Sequence, residues 1–450
     1  MAEDASAPED AGGASMRIRD PIHGTIAVSD EERAVVDTRF YQRLRGVRQL
    51  GFSDMAFPGA THTRHAHSLG AMHVSSRMFD AVAAETDLPE AARARFRAAV
   101  RLAVLCHDLG HMPLSHTSEK IAPARSSLQL PSWLSRPEAG AGVPGAHGDA
   151  VQASHEDYTC KIVLDSAVAE VIRSRFAPLG ISPEAVAALI AGLSPPGGLD
   201  FAHRGVDYAP LLRAIVSGEL DADRMDYLLR DSLFTGVNYG RYDLDWIVQN
   251  LGVAVKDGAA YLALSRGAAF AFEDFLLSRY HMFLSVYYHH TTVNFDHMLR
   301  RYYEEAPGEF EVPSALGPFL ECDDGALWQA LRRSSNGWAQ RIVARRPYKL
   351  LAQFTERDEG YDLPALTAAL VQEQVEHFAV ESEGVLSKYF HDGGGGPSLF
   401  IRDKRTGRLT EVARYTPLYQ RYSSAVRLSR IYVLPEQMAA ARGVLARVAG

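Results

Sequence analysis

Leu102-Ala-Val-Leu-Cys106-His107-Asp108-Leu-Gly110-His111-Met-Pro113-Leu-Ser-His116 decides how this chain is read. The run from Leu102 to Cys106 is apolar and predicts a buried helix. His107, Asp108, His111 and His116 then fall within ten positions. If the helix continues, His107 and His111 are four apart and share a face. Asp108 lies about 100° round from His107, so an ion between those directions can meet both side chains. Gly110 weakens the helix near its end, and Pro113 fits a stop. A lone His-Asp pair is common by chance. Three histidines and an aspartate behind a buried helix need partners, because unpaired charge in a core is expensive.

Two other stretches supply the same kind of group. Phe57 to Arg64 reads as a loop, followed by a helix to about Glu85. His67 sits near the head of that helix, after Arg64 and forty residues before His107, as in a metal site drawn from several helices. Asp221 to Asp231 holds four aspartates and two arginines in eleven residues. As a bare charge run it would be a solvated face. Leu220, Met225, Leu228 and Leu229 give it an apolar side, and acids alternating with arginines beside a core suit ion ligands and phosphate clamps.

The remaining chain frames these. Residues 1–15 read as a tail, and Met16 to Val28 as an extended segment turning at Asp20-Pro21 and Gly24. Residues 30–50 look helical, with Val35, Val36, Phe40, Leu44 and Val47 as a core stripe. Arg39, Arg43, Arg45 and Arg48 cover its other faces, as solvated surface or as a phosphate site. Residues 122–153, rich in Pro, Gly, Ala and Ser, read as a loop insertion after a helix at Thr117–Ile121. Helices follow at Glu156–Phe176, just after His155, at Pro183–Ala191 and at Ala209–Ser217. Ala268 to Tyr303 reads as one long helix or a pair, mostly core, with Arg279, Tyr287 and His289 able to line a pocket. Leu327–Leu351 and residues 361–390 read as helical, Gly393–Gly396 as a turn, and Ser398–Arg402 and Ile431–Val433 as strands.

Composition narrows the classes. The chain has 450 residues, of which 47% are hydrophobic, enough for a sizeable core. No uncharged apolar run reaches the roughly 18 residues of a membrane span, and residues 1–15 lack the basic start and apolar stretch of a leader. Three cysteines give no disulfide framework and fit a reducing, cytoplasmic setting. A net charge of −8 argues against a nucleic-acid binder by bulk charge, although a local basic groove would leave nucleic acid open.

In order, Arg64-x-x-His67-Ser-Leu-Gly, His107-Asp108-x-Gly-His111-x-Pro-x-Ser-His116, His155-Glu156 and Asp221-x-Asp223-Arg-x-Asp-Tyr227 resemble the HD-domain phosphohydrolases, and within them the deoxynucleotide triphosphohydrolases. Asp20-Pro-Ile-His-Gly24, Asp37-Thr, Gln42-Arg-Leu-Arg45, Gln49-Leu-Gly51 and Phe57-Pro-Gly-Ala60 extend the likeness over roughly residues 16–350. The resemblance implies a mainly α fold: an HD domain at 16–310 with the 122–153 loop, then a helical and mixed α+β region at 311–450.

It also implies a site. His67, His107, Asp108 and Asp223 would hold a metal, and imidazoles with carboxylates and no thiolate suit Mn, Fe, Zn or Ni, with Mg arriving on the nucleotide. The implied reaction takes a dNTP and water to a deoxynucleoside and triphosphate. His111, His116, His155 and Glu119 would surround the reacting phosphate, with His116 favoured to protonate the leaving 5′-oxygen. Arg64 and Arg224 would hold phosphates. Gln49, Leu50, Tyr227, Asp231 and Tyr287 would pack the sugar, and Arg279 and His289 would line the same pocket. Glu119 and Phe283 stand where the family has aspartate and histidine, and Arg224 where it has lysine. Asp37, Gln42, Arg45 and Arg345 resemble a site for an activating guanine nucleotide, GTP or dGTP, between the subunits of a dimer or tetramer. Two other readings compete: an HD phosphodiesterase acting on a cyclic or oligomeric nucleotide or single-stranded nucleic acid, and a nucleotide sensor that does not hydrolyse.

Overall fold

The computed structural model describes residues 16–135, 151–355, 358, 362–384, 399–418 and 426–449. Two strands open it, β1 (Met16–Asp20) and β2 (Gly24–Val28), paired antiparallel around a turn that needs Gly24 at φ +73°. Two short helices follow, α1 (Asp30–Val36) and α2 (Arg39–Arg43). Ser29 and Glu32 cap α1 reciprocally, so local sequence fixes where it starts.

The body is helical, and the mainly α expectation holds. Its helices are α3 (Arg64–Ala83), α4 (Glu90–Cys106), α5 (His155–Asp165), α6 (Ala167–Arg175), α7 (Pro183–Ala191), α8 (Ala209–Val216), α9 (Ala222–Thr235), α10 (Leu244–Gln249), α11 (Ala269–Met282) and α12 (His290–Glu305). One apolar core runs through most of them, with Met72, Val100, Leu105, Ile162, Leu189, Leu212, Met225 and Phe275 all buried. The 268–303 stretch is a pair of helices joined by a π-turn at Phe283–Tyr287. Glu156–Phe176 is likewise two helices, because Ser166 leaves the helical conformation and caps α6.

Several expectations are corrected. Thr117–Ile121 is part of a 3₁₀ turn, Ser115–Ile121, and short 3₁₀ turns also occupy Arg125–Leu128 and Ser132–Leu134. Residues 327–351 are not one helix. They contain α14 (Asp324–Arg333) and α15 (Gly337–Val343), preceded by α13 (Leu316–Phe319), and then the strand Lys349–Thr355. Asn336 stops and restarts the chain by accepting from the amides of Trp338 and Ala339. Residues 361–390 hold a helix only at Leu363–Gln372, after which His377–Gly384 is a strand. The glycine turn at 393–396 lies outside the described residues. The Ile431–Val433 strand begins earlier, at Val426, and pairs antiparallel with both Lys349–Thr355 and His377–Gly384. Leu251–Lys256 and Ala259–Ser265 form a hairpin turning at Asp257-Gly258, a signal the sequence carries and the expected elements left out.

The arginines of residues 39–48 divide. Arg43 is buried, with its guanidinium 4.2 Å above the Phe319 ring. It donates to the carbonyls of Cys322, Leu109 and His111, and so ties the segment after α4 to the start of α14. Asp324 makes the same tie, accepting from the amides of Arg48 (3.0 Å) and Leu114 (2.9 Å). Burial raises the Asp324 pKa to about 6. A carboxyl whose folded pKa is raised binds its proton more tightly in the folded state. Its contribution is therefore complete below about pH 4 and lost as pH rises through about 6. We expect the stability of Asp324→Asn relative to the parent chain to rise by up to about 3 kcal/mol between pH 4 and pH 7, as measured by denaturant midpoints. A difference that does not change with pH would contradict this.

Candidate metal centre

Helix α4 does not carry the histidine stretch. It ends at Cys106, and His107 to Gly110 form a turn, so His107 and His111 do not share a helix face as the spacing suggested. Gly110 lets this turn pack closely on α5. A Cβ there would stand 2.1 Å from the His155 carbonyl oxygen and 2.3 Å from the Thr159 amide nitrogen. The turn lies directly on α5, and Thr159 pins it: its hydroxyl accepts from Gly110 N and donates to the His107 carbonyl, both at 2.9 Å.

That break separates two groups of side chains. In the first, the Nε2 atoms of His67 and His107 and Oδ1 of Asp223 lie within 4.8 Å of one another. Asp223 Oδ1 is 3.0 Å from His67 Nε2 and 3.6 Å from His107 Nε2. Asp108 flanks the group, 3.4 Å from His107 Nε2 and 3.8 Å from His67 Nε2. His107 Nδ1 bonds the Val104 carbonyl at 2.6 Å, and His67 Nδ1 bonds Asp226 at 2.8 Å. Both rings therefore turn Nε2 inward, and both Nε2 atoms are buried without a hydrogen-bond partner. Asp223 is aimed by a helix start: Asp221 caps α9 by accepting from Arg224 N, which places Asp223 in the first turn, its side chain 34% exposed and the most open of the four.

The electrostatics match the geometry. Burial lowers the His67 pKa, but the Asp223 and Asp226 carboxylates outweigh it and hold it at about 10. Burial would raise Asp223, yet the two imidazoles hold it well below the carboxylate range. Burial opposes ionisation of Asp108 too, and Arg64, His107 and His111 overcome it. Two orphaned buried imidazole nitrogens facing ionised carboxylates fit a divalent cation.

In the second group, His111 and His155 stack with ring centroids 3.9 Å apart, and His155 Nδ1 lies 2.5 Å from Glu119 Oε1. His111 Nε2 is 3.1 Å from Asp108 Oδ1, so Asp108 joins the two groups. Burial and the Arg64 charge push the His111 pKa far below its usual value. The ligand atoms of His111, Glu119 and His155 also lie within 4.8 Å of one another. The His116 side chain lies outside the described residues.

The other anticipated residues fall in two places. Around the centre, Arg64 donates to Asp108 Oδ2 at 2.6 Å and to the Ser115 hydroxyl at 2.9 Å, and is buried. Arg224 donates to the Gly218 carbonyl and lies 3.6 Å from Asp221. Tyr287 donates to Asp231 at 2.8 Å, and the Tyr227 ring stands 6.5 Å from His67 and 6.2 Å from Tyr287. The Arg279 guanidinium lies 5.4 Å from the Phe283 ring, and His289 meets Phe57 edge-on. Gln49 Oε1 is buried without a hydrogen-bond partner, beside half-buried Leu50. Apart from these, Asp37, Gln42 and Arg45 line a cavity of about 360 Å³ with Met16, Ile18 and Asp20. Gln42 accepts from Arg45 at 2.8 Å. Arg345, at φ +52° after α15, is not among the residues of that cavity's wall.

Sequence reasoning missed Asp226, Ser115, Thr159 and His62, which bonds Asp231 at 2.7 Å. Asp226 and Ser115 stand inside the quoted motifs without a role assigned to them; Thr159 and His62 carry no motif.

Residues 243–381 match the family model described as "HD associated region". The chain is also 23% identical over 378 residues to a putative HD domain-containing protein of Acanthamoeba polyphaga mimivirus, covering 75% of this chain and 74% of that one. It is 28% identical over 341 residues to an uncharacterised protein of Methanocaldococcus jannaschii, covering 76% of this chain and 60% of that one. It thus spans about three fifths of that relative's length, and 52% of an uncharacterised Bacillus subtilis protein, YwfO, to which it is 32% identical over 279 residues. Over 99 residues it is 40% identical to the human deoxynucleoside triphosphate triphosphohydrolase SAMHD1, covering 22% of this chain and 16% of that one. A crystal structure of a hypothetical protein from Aquifex aeolicus superposes with a TM-score of 0.69 at 27% identity, covering 96% of this chain and 99% of that one. Among the described residues no helix is long and apolar enough to cross a membrane.

Gly110→Ala tests the packing of the turn on α5. Forcing the turn off α5 should cost about 1–3 kcal/mol of stability, read from denaturant midpoints, and should weaken binding of added Mn(II), because His107 moves with the turn. A chain with unchanged midpoint and unchanged metal binding would show that the close approach does not set the site.

Proposed function

We propose that this protein is a metal-dependent phosphohydrolase that converts a dNTP and water to a deoxynucleoside and triphosphate. The observation that carries the hydrolase reading is the pair of buried, unpartnered Nε2 atoms of His67 and His107 facing Asp108 and Asp223. These four residues would hold a divalent transition metal, Mn, Fe, Zn or Ni, which supplies Lewis acidity toward phosphoryl oxygen and water.

The chain's own groups then divide the work. Asp108 accepts from Arg64 and lies within hydrogen-bond distance of His111, so its carboxylate is fixed in place. The Glu119 carboxylate lies 2.5 Å from His155 Nδ1 and would pair with the imidazolium, the form of His155 able to give a proton to the leaving 5′-oxygen. His116 is the favoured acid, with His155 the alternative. Arg224, on the first turn of α9 beside Asp223, would bind phosphate after leaving the Gly218 carbonyl. The sugar would rest against Gln49, Leu50, Tyr227 and Tyr287, with Asp231 held behind Tyr287. A closely packed sugar edge rejects a 2′-hydroxyl by sterics and by leaving it unpaired. Arg279 and His289 line the outer part of this pocket in the same reading.

The cavity at Asp37, Gln42 and Arg45 supports a second nucleotide site. A carboxylate there suits the N1–H and N2 amine of guanine, and the arginine suits phosphate. GTP or dGTP would activate from this place, with Arg345 supplied by a second copy in a dimer or tetramer.

Product analysis tests both readings. The protein is incubated with each dNTP and Mn(II), with and without GTP, and the products are separated. We expect deoxynucleoside plus triphosphate, at a rate raised by GTP. A nucleoside mono- or diphosphate would mean a different scissile bond, and turnover only of cyclic or single-stranded substrates would replace the dNTP reading. Activity unchanged by GTP would remove the second site.

A further inference from the structure

Asp226 takes part in none of the chemistry assigned above, yet it is fully buried and saturated with donors. Oδ1 lies 2.7 Å from His23 Nε2 and accepts from Arg230 Nη2 at 2.8 Å. Oδ2 lies 2.8 Å from His67 Nδ1 and accepts from Arg230 Nε at 2.8 Å. Arg230 reaches on to Asp20 at 2.9 Å and 3.3 Å. Asp20 in turn accepts from the amides of Ile22 and His23, closing the β1–β2 turn on itself. The His23 and Asp226 side chains are 2% and 0% exposed, and that of Arg230 is 0% exposed.

This is more than a clamp between helices. Every lone pair that Asp226 turns toward a neighbour meets a donor, so it can only accept, and His67 must carry its hydrogen on Nδ1. A cation at the centre would displace the Nε2 proton, and the lone pair of the then neutral His67 would lie on Nε2, the atom that faces Asp223 and His107. The packing is built for it. A Cβ at Gly70, one turn beyond His67 on α3, would stand 2.1 Å from Asp226 Oδ1 and 2.2 Å from Arg230 Nη2. Only glycine lets α9 bring this carboxylate so close to the ring.

We propose that Asp226, held by Arg230, Asp20 and His23, is the positioning residue that makes His67 a metal ligand. The proposal rests on the metal centre described above. The hairpin turn Asp20–Gly24 is then part of that centre, although it lies about two hundred residues from Asp226 in the chain. Asp20 also stands in the wall of the cavity at Asp37, Gln42 and Arg45. Removing a carboxylate behind a metal-bound imidazole weakens metal binding by about 10- to 100-fold.

The test is Mn(II) binding to the whole chain, with free Mn(II) counted by electron paramagnetic resonance and unfolding midpoints measured in parallel. Asp226→Asn should bind Mn(II) about 10- to 100-fold more weakly, and His23→Asn should weaken it in the same direction by less. Ile431→Val, a core truncation in the C-terminal sheet, should lower the midpoint and leave Mn(II) binding unchanged. If Asp226→Asn does not fold, His23→Asn decides alone. Parental Mn(II) affinity in the folded variants, or an equal loss in Ile431→Val, would overturn the positioning role. A parent chain that binds neither Mn(II) nor Zn(II) would overturn the metal centre instead.

Discussion

Two imidazole nitrogens, His67 Nε2 and His107 Nε2, are buried without a hydrogen bond and face two carboxylates. A buried polar atom left unsatisfied costs about 1–3 kcal/mol. This chain accepts that cost twice within a few ångströms and surrounds the pair with ionised acids. The scaffold reads as the means of holding them there. Helix α3 presents His67 in its second turn, α4 ends one residue before His107, and α9 is capped by Asp221 so that Asp223 lies in its first turn. Two helices and the turn after a third thus bring one ligand apiece to a common point, and Asp108 arrives beside His107.

Tight approaches of backbone to side chain fix these positions. Gly110 lets the turn after α4 rest on α5, and Gly70 lets α3 rest on α9. The first steers His107 and His111 into different groups; the second sets a carboxylate behind His67. Arg43 and Asp324 then lash the segment after α4 to the start of α14, so the region matched by the HD-associated model helps to hold the histidine stretch. Asp108 is the shared member, touching Arg64, His107 and His111 at once.

Much of this was legible in the sequence. The buried run before His107, the heading of a helix by Arg64 and His67, and the alternation of acids and arginines at 221–231 all carry through to the places where those residues meet. What was not legible is physical in origin. Periodicity cannot show that α4 stops at Cys106, because the turn that follows is held by Gly110 meeting Thr159, a contact between segments far apart in the chain. Arg43 looked like surface because its partners are carbonyls, which have no sequence signature. The strands at Lys349–Thr355 and His377–Gly384 pair with Val426–Val433, a non-local pairing that no local pattern reports. Asp226 was in plain view within a charge run, and only the fold distinguishes it from the acids beside it.

The central claim is that His67, His107, Asp108 and Asp223 form one metal centre. Anomalous diffraction from crystals grown with Mn(II) or Zn(II) tests it most directly. The account predicts an ion at about 2.0–2.3 Å from His67 Nε2, His107 Nε2 and a carboxylate oxygen of each aspartate. An ion held instead by His111, Glu119 and His155, or no ion at either group, would contradict it.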